Sequence, residues 1–229
     1  MIGVLVNTLA VVVGSLFGLA LRKGIPAKLT AAAMTGIGLC TLYLGISGSL
    51  SGQNAIIAIL SVVLGGMIGT MLDIDGAIQR LSDRVQKKVS PGAGARVGEG
   101  FVTASLLFCV GSMTIVGSLN AGLSGDNQML FAKSVLDLIS SIMLSVSLGV
   151  GVLLSALVVL VFQGALVLLA QVLKPVLSAA AIAEMTCVGS LLIIALGFNL
   201  LSIARIKVAD YLPAIAVAPV IVLVSGLLG

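Results

Sequence analysis

Residues 2–21 of the chain read IGVLVNTLAVVVGSLFGLAL, an apolar run that contains one amide side chain, Asn7. A run of about 20 apolar residues forms a helix long enough to cross the hydrocarbon core of a bilayer. Arg22 and Lys23 follow this run, whereas a cleaved signal peptide carries its positive charge before the apolar region. The stretch therefore predicts a retained transmembrane helix, TM1, from which the rest of the fold is built.

The composition of the whole chain agrees with this first helix. Of the 229 residues, 59% are hydrophobic and 9% are charged, and the mean hydropathy is +1.29. A soluble domain carries about a quarter charged residues, and it cannot hide so much apolar surface from water. The composition predicts an integral membrane protein whose partner is the lipid bilayer, and the net charge of +4 requires no nucleic-acid partner.

Seven further apolar segments predict an all-α protein with about eight transmembrane helices in a single polytopic domain, residues 1–229. The run 129–173 is too long for one span, and we divide it at Gly149-Val150-Gly151 into TM5 and TM6. The alternative is a re-entrant TM5, which leaves seven true spans. The other predicted spans are TM2 near 29–49, TM3 near 55–72, TM4 near 101–123, TM7 near 179–203 and TM8 near 211–228.

The basic residues predict the orientation of these spans. Ten of the 12 Lys and Arg residues fall in the loops 22–28, 73–100 and 204–210, which share one side of an eight-span protein. Loops rich in Lys and Arg stay in the cytoplasm, so both termini are predicted to lie outside. Within the long loop, residues 75–89 carry apolar side chains at helical spacing, which predicts a short amphipathic helix on the membrane surface.

Two predicted spans share a sequence motif. TM2 contains Met-Thr-x-x-Gly at 34–38 and TM7 contains it at 185–189, and each copy is followed further along by a Leu-Gly pair. Spans five apart cross in opposite directions, so the motif predicts an inverted repeat in which TM1–TM3 match TM6–TM8. The repeat-like halves are then 1–72 and 150–229, with the helices of 101–149 between them. The alternative is chance recurrence of small-residue motifs in Gly- and Ala-rich helices.

The segment from Phe131 to Ser141, FAKSVLDLISS, contains the clearest candidate site, Asp137. An ionisable residue inside a membrane helix is costly unless it has a partner, and it is therefore a functional candidate by default. Lys133 precedes Asp137 by four residues, on the same helix face, and Ser134 and Ser141 add hydroxyls near that face. These four residues are predicted to line a substrate or ion pathway. The alternative is an internal Lys–Asp pair near the outer surface that contributes only to folding.

Polar residues of the other spans complete the predicted pathway. Amides bind a cation through oxygen or an anion through nitrogen, although such residues also commonly hydrogen-bond neighbouring helices. Glu184 and Asp210, near the ends of TM7 and TM8, are expected to reach interfacial water. The Gly-Ser pairs at 14–15, 111–112 and 189–190 either pack helices closely or unwind them locally. The further pathway candidates are Asn7, Ser112, Asn120, Ser190 and Asn199.

Several kinds of chemistry are missing from the sequence. The chain has no His, and its cysteines, Cys40, Cys109 and Cys187, fall in separate predicted spans, where small buried residues are their expected role. No nucleotide-binding loop and no pairing of a nucleophile with a base is present. We therefore expect no enzymatic activity, no metal site and no cofactor.

Three stretches carry a resemblance to a known family. They are the opening GVLVNTLAVVVGS at 3–15, Cys-Val-Gly-Ser-Met at 109–113, and Gly-x-x-Gly-Asp at 122–126 leading to Lys-Ser-Val-Leu-Asp at 133–137. Along essentially its whole length the chain resembles the bacterial YqgA/YdfK-like inner-membrane proteins. The resemblance implies a bacterial plasma-membrane location and a role in transport, and it supplies neither a substrate nor functional residues.

The sequence thus favours a secondary transporter or channel for a small solute or ion, with a pathway lined by TM5 and the repeat helices. A non-transporting membrane scaffold or assembly protein is the alternative, and it predicts that Asp137 is dispensable. Eight short helices form a slim bundle, so a homo-oligomer is also expected, with a dimer as its simplest form.

Overall fold

The computed structural model describes residues 1–22, 27–77, 80, 96–110, 112–173 and 177–228. It is 87% helical and has no strand among these residues, which confirms the predicted all-α class. A single turn of 3-10 helix, Val208–Tyr211, precedes the last helix. The α-helices are α1 Ile2–Arg22, α2 Ala27–Ser49, α3 Ala55–Met71, α4 Arg96–Cys109, α5 Ser112–Leu123, α6 Gln128–Leu148, α7 Gly151–Leu168, α8 Ala170–Leu173, α9 Ala179–Leu200 and α10 Pro213–Leu228.

Length and apolar composition make five of the described helical segments candidates for membrane spans. These are α1, α6, α7, α9 and the stretch Val208–Ser225, which joins the 3-10 turn to α10. The pair α4 and α5 counts as a sixth if its two helices are taken as one span, and they meet at an angle of 58°. The apolar helix α3, with 17 residues, is shorter, and it covers the predicted TM3.

The boundary between TM5 and TM6 falls where the glycines predict it. Helix α6 ends at Leu148 and α7 begins at Gly151. Gly149 joins them with φ of 80°, a backbone conformation that side chains disfavour and glycine adopts freely. Helix α6 is continuous over 21 residues and is a candidate span, and the bend lies in the predicted TM4, between α4 and α5.

Two helix pairs pack in parallel. In each pair, residues early in one helix face residues early in the other, and late residues face late residues. Glycines at the contacts let the two backbones approach, because a Cβ there would overlap the neighbouring helix. The facing residues are Gly3–Leu130 and Gly18–Ser145 for α1 with α6, and Val97–Gly151 and Gly122–Val167 for α4 and α5 with α7.

Three other helix pairs pack antiparallel. Along each contact, the residue numbers rise in one helix and fall in its neighbour. Glycines mark the close approaches of α2 with α9 and of α3 with α10, whereas α1 and α7 meet there through the side chains of Met1 and Arg22. The facing residues are Gly38–Leu201 and Gly52–Cys187 for α2 with α9, Gly65–Ala214 and Gly69–Asp210 for α3 with α10, and Arg22–Gly149 and Met1–Gly164 for α1 with α7.

The surface of the bundle is apolar, as lipid contact requires. Large hydrophobic side chains such as Leu9 and Phe17 of α1 and Ile59 of α3 point outward. Cys109 and Cys187 are buried as expected, but the expectation was wrong for Cys40, which is exposed, because an apolar bilayer does not force a small residue inward. Most of the predicted amphipathic helix, 75–89, lies outside the described residues.

Candidate functional site

The Lys133 ammonium and the Asp137 carboxylate form an ion pair inside the bundle. Lys133 Nζ lies 2.5 Å from Asp137 Oδ2, and each side chain is 7% exposed. The two residues are one turn apart on α6, which begins at Gln128. With a rise of about 1.5 Å per residue, Asp137 is about 14 Å from the start of the helix, roughly half of a 30 Å hydrocarbon core. The pair therefore lies near the middle of the helix and away from its ends.

Asn7 of α1 supplies the second donor to the same carboxylate oxygen. Its Nδ2 donates to Asp137 Oδ2 over 3.0 Å. The two helices come this close because Gly14 and Gly18 of α1 meet the carbonyl oxygens of Leu138 and Ile142 directly. Since Nδ2 faces the carboxylate, Oδ1 of Asn7 faces away, and it is buried without a hydrogen-bond partner among the described residues.

The interruption of TM4 lies beside this ion pair. Lys133 Nζ is 5.9 Å from the centre of the Phe108 ring, within cation–π range. Helix α4 ends one residue later, and α5 begins at Ser112. The Thr114 hydroxyl donates to the Phe108 carbonyl oxygen over 3.0 Å, so it caps one of the backbone groups that the break frees. The ion pair therefore lies next to the end of α4, where the predicted TM4 is interrupted.

Gln163 of α7 is a buried amide at the same level. Its side chain is inaccessible, and neither Oε1 nor Nε2 has a hydrogen-bond partner among the described residues. Val159, one turn before it, packs in the cluster of Val11 and Phe108. Val167, one turn after it, packs with Val4 and Leu130. Gln163 therefore lies between these layers, as do Asn7 on α1 and Lys133 on α6. An unpaired buried amide is costly in an apolar interior.

The predicted serines of α6 are buried but bonded locally. The Ser134 hydroxyl donates to the Leu130 carbonyl oxygen over 2.7 Å, and the Ser141 hydroxyl donates to that of Leu138 over 2.9 Å. Both bonds stay within the helix. Ser118 of α5, a buried hydroxyl with no partner among the described residues, belongs to the same part of the bundle, because the adjacent Gly117 packs against Leu130.

Of the remaining predicted pathway residues, none whose side chain the structure describes forms a hydrogen bond with Lys133 or Asp137. Asn199 donates to the Ile206 carbonyl oxygen over 2.7 Å and accepts from its N–H over 2.8 Å, so it holds the turn after α9. Ser190 is buried where α9 meets Gly48 of α2. Asn120 is half-buried in α5. The side chain of Ser112 lies outside the described residues.

Glu184 and Asp210 do not reach interfacial water, and that expectation was wrong. Glu184 is 2% exposed, and its Oε1 accepts from the backbone N–H groups of Gln53 and Asn54 over 2.7 and 2.8 Å. Asp210 is 5% exposed, and its Oδ1 accepts from the Asp75 N–H over 2.8 Å. Glu184 thus fastens the backbone of the loop between α2 and α3, and Asp210 fastens that of Asp75, which lies in a helical turn after α3.

Gln163 and Phe108 were missed from the sequence. Gln163 carries a recognisable signal, since it is a lone amide within the apolar run of 151–170. Phe108 carries none, because one aromatic residue in an apolar helix does not indicate which cation it contacts.

A second feature adjoins the break of TM4. A cavity of about 460 Å³ opens between α4, α7, α9 and α10. Its lining is almost entirely apolar and includes Cys109, Val110, Phe162, Met185 and Ile215. The break thus separates a charged cluster from an apolar space.

These features define a polytopic helical membrane protein with a buried ion pair beside an interrupted helix. The chain belongs to the family described as "Protein of unknown function (DUF554)", which matches residues 2–223. It is 32% identical over 233 residues to "Uncharacterized membrane protein YdfK" of Bacillus subtilis (strain 168), a match that covers 100% of this chain and 99% of that protein. The family resemblance predicted from the sequence is confirmed.

A second relative is more distant. The chain is 27% identical over 221 residues to "Uncharacterized protein YqgA" of Escherichia coli (strain K12), and this match covers 95% of this chain and 94% of that protein. No solved structure matches the chain.

Proposed function

We propose that the protein is a secondary transporter or channel for a small solute or ion, with its binding site at Lys133 and Asp137. The observation that carries this proposal is the position of the ion pair, halfway along α6 and beside the break between α4 and α5. Interrupted helices at mid-membrane expose backbone groups that bind substrates and coupling ions, and they recur in transporters of many folds.

The cost of the ion pair also favours a role beyond folding. A buried salt bridge gains little over well-packed apolar side chains, because desolvation of two charges offsets their attraction. Inside a membrane the penalty is larger, and buried charges there mark pathways. Gln163 adds a buried amide whose Oε1 and Nε2 have no hydrogen-bond partner among the described residues.

The directions of the packed helices support eight spans. If eight segments cross alternately, spans one and five run parallel, as do spans four and six, which agrees with α1–α6 and with α4–α7. Spans one and six, two and seven, and three and eight then run antiparallel, which agrees with α1–α7, α2–α9 and α3–α10. Each observed direction is the one that the eight-span topology requires.

The same pairs support the inverted repeat. An exchange of TM1–TM3 with TM6–TM8 maps α1 onto α7, α2 onto α9 and α3 onto α10. Members of each of these pairs are in contact and antiparallel, as copies related by a two-fold axis in the membrane plane are. If the same two-fold axis also relates TM4 to TM5, it maps the parallel pair α1–α6 onto the parallel pair α4–α7. The ion pair lies on α6, where Asn7 of α1 contacts it.

The cellular setting that we propose is a bacterial plasma membrane. The basic loops 22–28, 73–100 and 204–210 face the cytoplasm, and both termini lie outside. The protein assembles as a homo-oligomer, with a dimer as its simplest form, and mass measurement in native-lipid discs tests this directly.

The proposal is tested by reconstituting the purified protein into liposomes and measuring flux across a panel of small solutes and ions. Wild type is expected to move at least one of them, and Asp137→Asn is expected to reduce that flux sharply. Asp126→Asn is the matched control, because Asp126 lies on the exposed loop between α5 and α6. Asp137 and Asp126 then undergo the same change of charge in different places.

Each outcome of this experiment bears on the proposal. Flux that Asp137→Asn leaves unchanged would retain the transporter and reject the site. No flux of any solute by folded wild-type protein would favour the scaffold, for which the charge at Asp137 is dispensable.

A further inference from the structure

We propose that the apolar cavity between α4, α7, α9 and α10 is a binding site for one acyl chain of a membrane phospholipid. The cavity measures about 460 Å³ and includes Cys109, at the end of α4, in its lining. The lining contains neither Lys133 nor Asp137, so this site does not depend on the proposed transport function. Its lining, its size, its opening and the charges near one end carry the assignment.

The lining of the cavity disfavours water and ions. Aromatic and aliphatic side chains such as Phe101, Val158 and Ile215 form most of its wall. Ser105 brings a hydroxyl to this wall, but its Oγ is itself buried. A bound water needs two to four polar partners, and a metal ion needs several oxygen or nitrogen ligands. The occupant that fits this wall is therefore apolar.

The size and shape of the cavity suit a hydrocarbon chain. An apolar cavity of roughly 150 Å³ holds one benzene ring, so this cavity, about three times larger, has room for roughly 18 carbon atoms. That is comparable to one acyl chain of a membrane phospholipid. The lining follows α4 from Phe101 to Cys109, about 12 Å of helix length, and continues to Ile115 of α5. A flexible chain fills a space that extends along the helices in this way.

The cavity opens toward the surface that contacts lipid. Helix α4 packs against α7 and α9, and α9 packs against α10, so α7 and α10 form the outer walls. The inner wall is buried, since Ile115 of α5 and Met185 of α9 are 2% and 8% exposed. Ala216 of α10 is exposed and Phe162 of α7 is half-buried, so these two residues form the rim. An acyl chain can therefore enter from the bilayer without crossing water.

The charges near one end of the cavity suit a phosphate. Leu212 lines the cavity and directly follows the 3-10 turn Val208–Tyr211. Arg205 and Lys207 are exposed in the segment that leads into this turn. Arg and Lys side chains attract the anionic headgroups of lipids. A phospholipid can thus place its headgroup near these two residues and one acyl chain in the cavity, whereas a neutral hydrocarbon gains nothing from the charges.

The test is native mass spectrometry of the full chain released from a mild detergent. Wild type is expected to retain one phospholipid per chain, identified by its mass. Ala216→Phe places a ring at the rim of the cavity and is expected to lower the retained fraction by about tenfold or more. Ala165→Phe, the same substitution at an exposed position of α7 outside the lining, is expected to retain the lipid as wild type does.

Three results would overturn the assignment. The first is a wild type that retains no lipid. The second is a wild type that retains a free fatty acid or another apolar molecule in place of a phospholipid. The third is equal retention by Ala216→Phe and Ala165→Phe, which would place the lipid on the general surface of the bundle.

A measurement in the bilayer covers the case in which Ala216→Phe fails to fold. The chain has no Trp, so a single introduced Trp reports on its own surroundings. Met185→Trp puts this probe on the buried wall of the cavity, and Phe108→Trp puts it at a buried position outside the lining. Phospholipids brominated along the acyl chain are expected to quench the fluorescence of Met185→Trp but not that of Phe108→Trp. Equal quenching of the two would contradict an acyl chain in the cavity.

Discussion

At the scale of single residues, Asp137 has one partner from its own helix and one from a helix distant in sequence. Lys133 lies one turn away on α6, and the spacing of four residues within one helix is enough to bring it to Asp137 Oδ2. Asn7 comes from α1, 130 residues earlier in the chain, and it reaches the same oxygen only because α1 and α6 pack together. The hydrogen bond from Asn7 therefore reports on the packing as well as on the site.

Replacing this amide tests its contribution. In Asn7→Leu the carboxylate loses a charge-assisted hydrogen bond, and the free energy of unfolding is expected to fall by about 1 kcal/mol. Unfolding in mixed micelles measures this difference. Thr8→Val is the matched control, because the Thr8 hydroxyl donates to the Val4 carbonyl oxygen of its own helix. An Asn7→Leu protein as stable as wild type would show that the amide does not stabilise the ion pair.

The sequence predicted part of this site for a physical reason. The spacing of Lys133 and Asp137 is a local property of a helix, so their pairing could be inferred before the structure. The partnership with Asn7 depends on helix packing, which the sequence does not encode locally. The carboxylates of Glu184 and Asp210 were misjudged for the same reason, because the backbone N–H groups that they bind belong to residues more than 100 positions earlier in the chain.

At the scale of helices, close packing depends on particular glycines. A Cβ on Gly14 would overlap the Ser141 hydroxyl and the Leu138 carbonyl oxygen of α6, whereas a Cβ on Gly36 of α2 would meet no atom within 4 Å. Replacing each glycine with alanine therefore distinguishes two effects. The change in helix propensity occurs at both positions, whereas the overlap with a neighbouring helix occurs only at Gly14.

We expect Gly14→Ala to push α1 away from α6 and to lower the free energy of unfolding by about 1–3 kcal/mol. Gly36→Ala, the matched control, is expected to be neutral or slightly stabilising, because alanine is the better helix former. Unfolding in mixed micelles again provides the measurement. Equal effects of the two substitutions would indicate that α1 and α6 are not in close contact.

The break of TM4 shows what sequence patterns omit at this scale. The chain has five Gly-Ser pairs, at 14–15, 48–49, 111–112, 117–118 and 189–190. The pairs at 14–15, 117–118 and 189–190 lie inside the continuous helices α1, α5 and α9, the pair at 48–49 ends α2, and the pair at 111–112 adjoins the break of TM4. The same dipeptide therefore occurs both inside continuous helices and beside a helix break. What distinguishes the break is its setting, in which Thr114 caps the Phe108 carbonyl oxygen.

At the scale of the whole molecule, hydropathy predicted an all-helical membrane protein because lipid and water impose different compositions. It also predicted the division at Gly149, where only glycine readily adopts the observed backbone. The pairing of the helices could not be derived in this way, because every span offers a similar apolar surface to its neighbours. The number of spans, the repeat and the oligomer remain predictions, and the antiparallel pairs support the first two.

The central claim is that the ion pair halfway along α6 lies on a water-accessible path, and this claim can be tested without knowing the substrate. The measurement is the rate at which a membrane-impermeant thiol reagent modifies Ser134→Cys, in a background without the native cysteines. Ser134 is buried and adjoins Lys133 in sequence. Asp126→Cys on an exposed loop is the positive control, and Ser61→Cys, buried one turn from Gly65 on α3, is the negative control.

We predict that Ser134→Cys reacts more slowly than Asp126→Cys but measurably, while Ser61→Cys does not react. If Ser134→Cys is as unreactive as Ser61→Cys while Asp126→Cys reacts fully, the ion pair is sealed within the bundle and the transport pathway proposed at Asp137 is contradicted.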